Sequence, residues 1–384
     1  MNLNTFMPVK LITGAGCVRA SAKELAKLGK VCLIVTGRNG ARLCGALQDV
    51  TETLALNGQQ WQLFDEIGAN PKLTDCMAAA EKAVADGAEF ILGIGGGSAL
   101  DAAKCIAVLA ANPGLTQEQL YAFDWPNAPL RIAAVGTTAG TGSEVTKVSV
   151  ITTPDGRKRS FHHEGIFPTL SLGDPAYTMS LPPMVTRSTA VDILAHCAES
   201  FFSRAANHIS RCYAVEGIRL LLPIFRTMAE AGYDSLDYDT REKLYCASIY
   251  AGLAINITGT CFPHTMGYLL TEAFGIPHGT ACAVFQSAFF EYNKAVVPEL
   301  AAEYLERIGC REEDYLNLIE EITPPCKITM DAKLIADSHN RWVNNGSIAK
   351  CQGTFTADMA DEILRRKYLK PHENETLIDN IYPQ

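Results

Sequence analysis

Four residues of this chain stand at spacings that suit a metal ion. Asp192 and His196 lie four apart in the helical-looking run Asp192-Ile193-Leu194-Ala195-His196. Positions i and i+4 share one helix face, so a carboxylate and an imidazole placed this way can close on a single cation. Glu199 follows one turn later. His264, within Phe262-Pro263-His264-Thr265-Met266-Gly267-Tyr268, and His278, within Gly275-Ile276-Pro277-His278-Gly279, add two imidazoles. One carboxylate and three imidazoles suit Fe(II), Zn or a similar ion in a tetrahedral or expandable geometry. Spacing alone leaves a helix-face salt bridge as the competing reading of the Asp-x-x-x-His pair. His162, His163, His208 and His339 have no comparable setting in the sequence.

A second kind of chemistry is suggested by two glycine-rich segments that each follow a β-like run. Gly95-Gly96-Gly97-Ser98 precedes a helical stretch, with Asp101 in its first turn and Lys104 one turn on. Glycines let backbone N–H groups approach a diphosphate, and a helix N-terminus favours negative charge. Ser98 is expected to cap that helix or to donate to a phosphate oxygen. The segment is neither G-x-G-x-x-G nor a P-loop, and a tight connection is its ordinary alternative. Gly136-Thr137-Thr138-Ala139-Gly140-Thr141-Gly142-Ser143-Glu144 places four hydroxyls among nine residues. Two such loops at the carboxyl ends of strands match the place where open α/β sheets bind nucleotides.

The elements that must position these groups fall into two halves. Val31–Thr36, Phe90–Ile94 and Arg131–Val135 read as buried strands, and Ser149–Thr152 as a fourth. Helices are expected over Ala41–Asn57 and Ala99–Ala111. This alternation predicts a parallel sheet covered on both faces. Beyond Leu181-Pro182-Pro183 the chain turns helical, over Thr186–Ala205, Ser210–Ala229, Arg241–Asn256 and Thr356–Tyr368. The expected fold class is therefore α/β plus all-α: a Rossmann-like dinucleotide domain at 1–181 and a helical, metal-binding domain at 182–384.

Composition narrows the function. The 384 residues exceed one small core, and 48% hydrophobic with 20% charged content is ordinary for a globular protein. A net charge of −9 without a basic block argues against nucleic acid as partner. No apolar run reaches the roughly 18 residues of a membrane span, and no secretory signal is visible at Met1–Lys10. Thirteen scattered cysteines with no Cys-x-x-Cys pair read as reduced thiols, so a cytoplasmic location is expected.

Taken in order, these segments resemble the iron-containing (group III) alcohol dehydrogenase family. The likeness begins at Phe6–Gly16 and runs through Gly95–Ser98 with Asp101 and Lys104. It continues through Thr137–Glu144, Asp174-Pro175 and Leu181-Pro182-Pro183, then Asp192–Glu199 and the two later histidines, and loosens after about Ile308. The resemblance implies Asp192, His196, His264 and His278 as metal ligands, with Fe(II) as the ion and Zn as the alternative. It puts the cofactor diphosphate on Gly96, Gly97 and Ser98, lines the nucleotide with Thr137, Thr138 and Thr141, and gives Lys158 to the cofactor ribose. Many members carry a further histidine where this chain has Tyr268. A phenol, with an unperturbed pKa near 10, either relays protons through water or only shapes the pocket.

After the strand ending at Thr36, NAD-preferring relatives often carry an Asp; this chain has Gly37-Arg38-Asn39. Arg38 can pair with a 2′-phosphate, which favours NADP(H) over NAD(H). The implied activity is hydride transfer between the nicotinamide and a small primary alcohol or aldehyde, by a homo-oligomer of two or more subunits. Phe161, Phe262 and Tyr268 suit an apolar, partly aromatic pocket, and each suits a core equally well. Glycerol dehydrogenase and dehydroquinate synthase chemistry on the same architecture are the rival readings, and a non-catalytic metal- or nucleotide-binding protein is a more remote one. The Asp-x-x-x-His pair and the Thr-Thr-x-Gly-Thr-Gly-Ser-Glu run favour the alcohol dehydrogenase.

Overall fold

The computed structural model describes residues 5–232 and 235–369. Six strands form one parallel sheet: β1 (Lys10–Thr13), β2 (Val31–Thr36), β3 (Gln60–Phe64), β4 (Phe90–Gly95), β5 (Arg131–Gly136) and β8 (Leu170–Gly173), in the order β1-β8-β5-β4-β2-β3. Alternate residues of β2 feed two cores. Leu33 and Val35 pack with the helices Leu73–Ala85 and Gly97–Ala111 on one face, and Cys32 and Ile34 pack with Ala46–Leu56 on the other. The period-2 geometry of a strand buried on both faces requires this division. β2 continues outward to β3, whereas β4 continues the opposite way to β5. The crevice between the ends of β2 and β4 is thus a topological switch point, the usual seat of a nucleotide.

Three of the four expected strands lie in this sheet. The run at Ser149–Thr152 does not. It belongs to β6 (Val148–Thr152), which pairs antiparallel with β7 (Lys158–His162) in a separate two-stranded ribbon. The five residues between them are hairpin length, and a parallel pairing needs a crossover of roughly a dozen residues. Strands β1, β3, β7 and β8 went unread in the sequence; β1 and β8 are four residues each, and β3 is a largely exposed edge of mixed polarity. The helix expected over Ala41–Asn57 is two helices, Gly40–Leu43 and Ala46–Leu56, broken at Gly45 in the left-handed region (φ 84°).

From Pro183 onward the chain is helical. The helices Pro183–Phe202, His208–Ala231, Tyr238–Thr258, Phe262–Phe274 and His278–Ala283 share one core, which also takes in Ala139 and Val145 from the second glycine-rich segment. Two contacts fasten that segment to the Tyr238–Thr258 helix. Tyr245 donates its hydroxyl to Glu144 Oε1 at 2.8 Å, and Gly140 N–H donates to Ser248 Oγ at 2.7 Å. No single helix among the described residues is long and apolar enough to cross a membrane.

Glu144 is buried, and burial raises its pKa. Tyr245→Phe removes its hydroxyl partner at no change of shape. The expected cost is about 1–3 kcal/mol, read as a lower urea midpoint at unchanged slope. An unshifted midpoint would remove this contact from the list of what ties sheet to helices.

Candidate active site

Asp192, His196 and Glu199 descend one face of the Pro183–Phe202 helix, a stretch so enclosed that every residue from Ala190 to Phe202 is buried. His264 stands in the first turn of Phe262–Phe274, and His278 is the first residue of His278–Ala283. The fold brings the donor atoms of Asp192, His264 and His278 into one group, with His196 beside it. Asp192 Oδ1 lies 3.5 Å from His264 Nε2 and 3.9 Å from His196 Nε2. The His196 and His264 rings stack at 4.6 Å, and the His264 and His278 rings meet edge-on at 5.4 Å. Both Asp192 Oδ1 and His264 Nε2 are buried without a hydrogen-bond partner. Native interiors rarely leave such atoms unmatched, and an unfilled ion site is one of the few explanations.

Two further side chains complete the cluster. Glu199, fully buried, accepts from His264 Nδ1–H at 2.6 Å through Oε1, and from the Cys261 N–H at 2.7 Å through Oε2. With Nδ1 donating to Glu199, Nε2 is the nitrogen that faces Asp192 and is free to bind a cation once its own proton is displaced, the orienting role that carboxylates play behind metal-binding imidazoles. Cys282 was not singled out in the sequence. Its sulfur lies 3.6 Å from His278 Nδ1, and the donor atoms of Asp192, His264, His278 and Cys282 all fall within 4.8 Å of one another. The i, i+4 rule that exposed Asp192 and His196 applies equally to His278 and Cys282.

Close helix packing makes this possible. A Cβ on Gly279 would collide with the Ser188 carbonyl and come within 2.8 Å of Asp192 Cβ. Only glycine lets the short helix press His278 this near to Asp192.

Electrostatics follow from burial. Burial alone would raise the Asp192 carboxyl, but the three surrounding histidines bring it below the usual carboxylate range. Burial lowers His196, and burial with the Lys158 charge lowers His278 further. Burial opposes the charged form of His264 too, yet Cys282, Glu199 and Asp192 outweigh it and hold that imidazole high. Burial pushes the Cys282 thiol up to about 11. An ionised carboxylate beside two imidazoles kept neutral is a donor set ready for a cation.

The glycine-rich loops lie at the ends of β4 and β5, adjacent strands in register at Gly95 and Gly136. They pack on each other. A Cβ on Gly96 would lie 2.7 Å from Thr138 Oγ1, and one on Gly97 2.7 Å from Thr141 Cγ2. The helix Gly97–Ala111 begins at Gly96 with no side-chain cap, leaving its N-terminal N–H groups to an anion. Ser98 is not that cap. It lies inside the helix and donates to the Ala69 carbonyl. Asp101 accepts from Ser143 Oγ at 2.6 Å and from Val150 N–H at 2.9 Å, and the buried Lys104 donates to the Ser143 and Val148 carbonyls. Both hold the second loop and β6 in place. Thr137 is buried, while Arg38 and Asn39 are exposed after β2, next to Gly37.

Lys158, at the start of β7, carries its ammonium 5.2 Å from the centre of the Tyr268 ring, which in turn stacks on His278 at 5.5 Å. Burial raises the Tyr268 phenol and lowers Lys158. Tyr268 lines a cavity of about 290 Å³. The other two aromatics expected there are core residues: Phe161 packs against Tyr121 and Trp125, and Phe262 stacks on Phe355 at 4.1 Å. His339, read as having no setting, bonds Asp361 at 2.7 Å, and the same carboxylate accepts from Trp342 Nε1 at 3.1 Å.

Residues 8–175 match the family model described as iron-containing alcohol dehydrogenase, and residues 186–330 match its C-terminal counterpart. A sulfoacetaldehyde reductase of Bilophila wadsworthia is 32% identical over 312 residues, covering 78% of this chain and 79% of that one. Among solved structures, an iron-containing alcohol dehydrogenase of Thermotoga maritima superposes with a TM-score of 0.88 at 31% identity, covering 95% of this chain and 99% of its own. A sulfoacetaldehyde reductase of Bifidobacterium kashiwanohense in complex with NAD+ gives 0.85 at 28% identity, covering 96% and 99%.

If Glu199 sets the His264 tautomer, Glu199→Gln should weaken binding of a divalent ion by roughly tenfold or more, the range typical of such partners. Chelator competition on the folded variant measures this, and an affinity equal to that of the unaltered protein would assign Glu199 to packing alone.

Proposed function

The chain belongs to the iron-containing alcohol dehydrogenase family, whose members are metal-dependent oxidoreductases moving hydride between a nicotinamide cofactor and an alcohol or aldehyde, and on that premise we propose how its own residues divide the work. Asp192, His196, His264 and His278 hold the ion, with Cys282 beside them and Glu199 behind His264. The reading rests on one observation, the pair of buried, unmatched atoms Asp192 Oδ1 and His264 Nε2, 3.5 Å apart among imidazoles. When bound, a divalent ion supplies Lewis acidity toward the substrate oxygen, and the nicotinamide carries the hydride. Fe(II) is the ion we assign, and the same donors accept Zn.

The protein's part is placement. The uncapped N-terminus at Gly96–Ser98 receives the diphosphate, Thr137, Thr138 and Thr141 border the nucleotide, and Lys158 reaches the cofactor ribose beside Tyr268. Tyr268 shapes the pocket rather than relaying protons: its phenol is partly buried, and that burial pushes it further from neutrality. Arg38, exposed at the switch point with no carboxylate at Gly37 or Asn39, favours NADP(H). We place the domain boundary at 181/182, in the turn ahead of the Pro183–Phe202 helix. All thirteen cysteines are free, in keeping with a reducing cytoplasm, and an assembly of two or more subunits is the state we assign.

Purified protein stripped by chelation should regain aldehyde-dependent oxidation of reduced nicotinamide when Fe(II) or Zn is returned. His264→Ala and His278→Ala should lower bound metal and turnover together, each by about 100-fold or more; full metal with full turnover in either would reassign the site. Arg38→Ala should raise KM for NADPH about tenfold, the worth of one charge-assisted contact, and leave KM for NADH unchanged. Equal effects on both cofactors would remove Arg38 from the choice between them.

A further inference from the structure

The cavity beside Tyr268 has a composition that an alcohol or aldehyde alone does not call for. Its lining includes Arg157, Lys158, Arg159 and Arg341, with Asp155 as the acidic member. Glu272 lies behind, pairing with Arg341 at 2.5 Å and accepting the Lys158 backbone N–H at 2.8 Å. Four cations against Asp155 and Glu272 leave two positive charges around a space of about 290 Å³, in a chain whose net charge is −9. Arg159 is engaged, its guanidinium 4.3 Å from the Tyr121 ring centre. Arg157 is exposed at the turn between β6 and β7, and Arg341 is partly buried.

The cavity adjoins the reacting end. Thr265, also in the lining, follows His264 in sequence, and Tyr268 stacks on His278. A substrate whose oxygen faces the histidine cluster would pass Tyr268 to reach this cationic space. Forked guanidinium groups match planar or tetrahedral oxyanions.

We propose that the substrate is a short aldehyde, or the matching alcohol, bearing a terminal anionic group, which Arg157 and Arg341 hold. The proposal rests on the assignment of the histidine cluster as the reacting centre. A space of about 290 Å³ holds a chain of two to four carbons with its anionic group. Sulfonate, phosphonate and carboxylate share the required chemistry.

The test compares sulfoacetaldehyde, phosphonoacetaldehyde and malonate semialdehyde with propanal, in the metal-loaded enzyme with saturating cofactor. At least one anionic aldehyde should exceed propanal in kcat/KM by about 100-fold, from two charged contacts each worth roughly tenfold, and that advantage should shrink as salt rises. Which of the three leads identifies the anion. Arg157→Gln and Arg341→Gln should each raise KM for that substrate about tenfold while KM for propanal and for the reduced cofactor stays within about twofold. Arg157 is exposed, so its variant stands even where loss of the Glu272 pair disturbs the Arg341 variant. Propanal preferred over all three anions would overturn the proposal while leaving the hydride-transfer reading intact. A raised KM for cofactor in both variants would also overturn it, assigning the cavity to the nucleotide. Inactivity toward every aldehyde, propanal included, would instead strike the assignment of the reacting centre.

Discussion

A carboxylate buried among three imidazoles governs much of this molecule. Asp192 is 2% exposed, and one of its oxygens has no hydrogen-bond partner. An isolated buried charge costs several kcal/mol, so the helices around it must supply compensation from several directions. His196 comes from the same helix, His264 from the next layer and His278 from a short helix that only a glycine lets approach. Glu199 adds a second buried carboxylate, which the His264 Nδ1–H and the Cys261 N–H offset. The arrangement is self-consistent when a divalent cation completes it, and expensive otherwise.

The sheet serves the same end from the other side. Its strand order puts the loops after β2 and β4 at a switch point, and the loop after β5 beside them. The second glycine loop is held by polar contacts rather than by regular structure: Lys104 and Asp101 grip it from the Gly97–Ala111 helix, and Tyr245 and Ser248 grip it from the helical half. A loop fastened to both halves keeps the sheet ends and the histidine cluster in a fixed relation, as a reaction between groups held on the two would require. Lys158 and Tyr268 stand where the two meet.

Some of the local structure was written plainly in the chain. Val31–Val35 and Ile132–Val135 are continuous apolar runs, and burial on both faces leaves no other use for them. The run at Ser149–Thr152 misled because alternating burial suits a hairpin as well as a sheet strand, and only the five-residue connection to β7 distinguishes them. Ser98 had the right residue type for a cap but sits inside the helix it was to cap, because the backbone turns one residue pair earlier. Phe161 and Phe262 show the limit of reading pockets from composition: an aromatic ring looks alike in a core and in a cavity wall.

The sequence by itself marked the Asp192–His196 pair and the two loops, since i, i+4 spacing and glycine runs after strands are local geometry, carried by a few consecutive residues. It also determined the two-part architecture, because hydrophobic period changes from strand to helix near Pro182. Tertiary structure alone decided which groups meet across distance. Cys282 joins Asp192 and His264, Glu199 turns to His264 sixty-five residues away, and basic residues from β7 and from Arg341 converge on one cavity. Such meetings depend on how helices cross and how closely they pack, and nothing in the order of residues along the chain records a crossing angle.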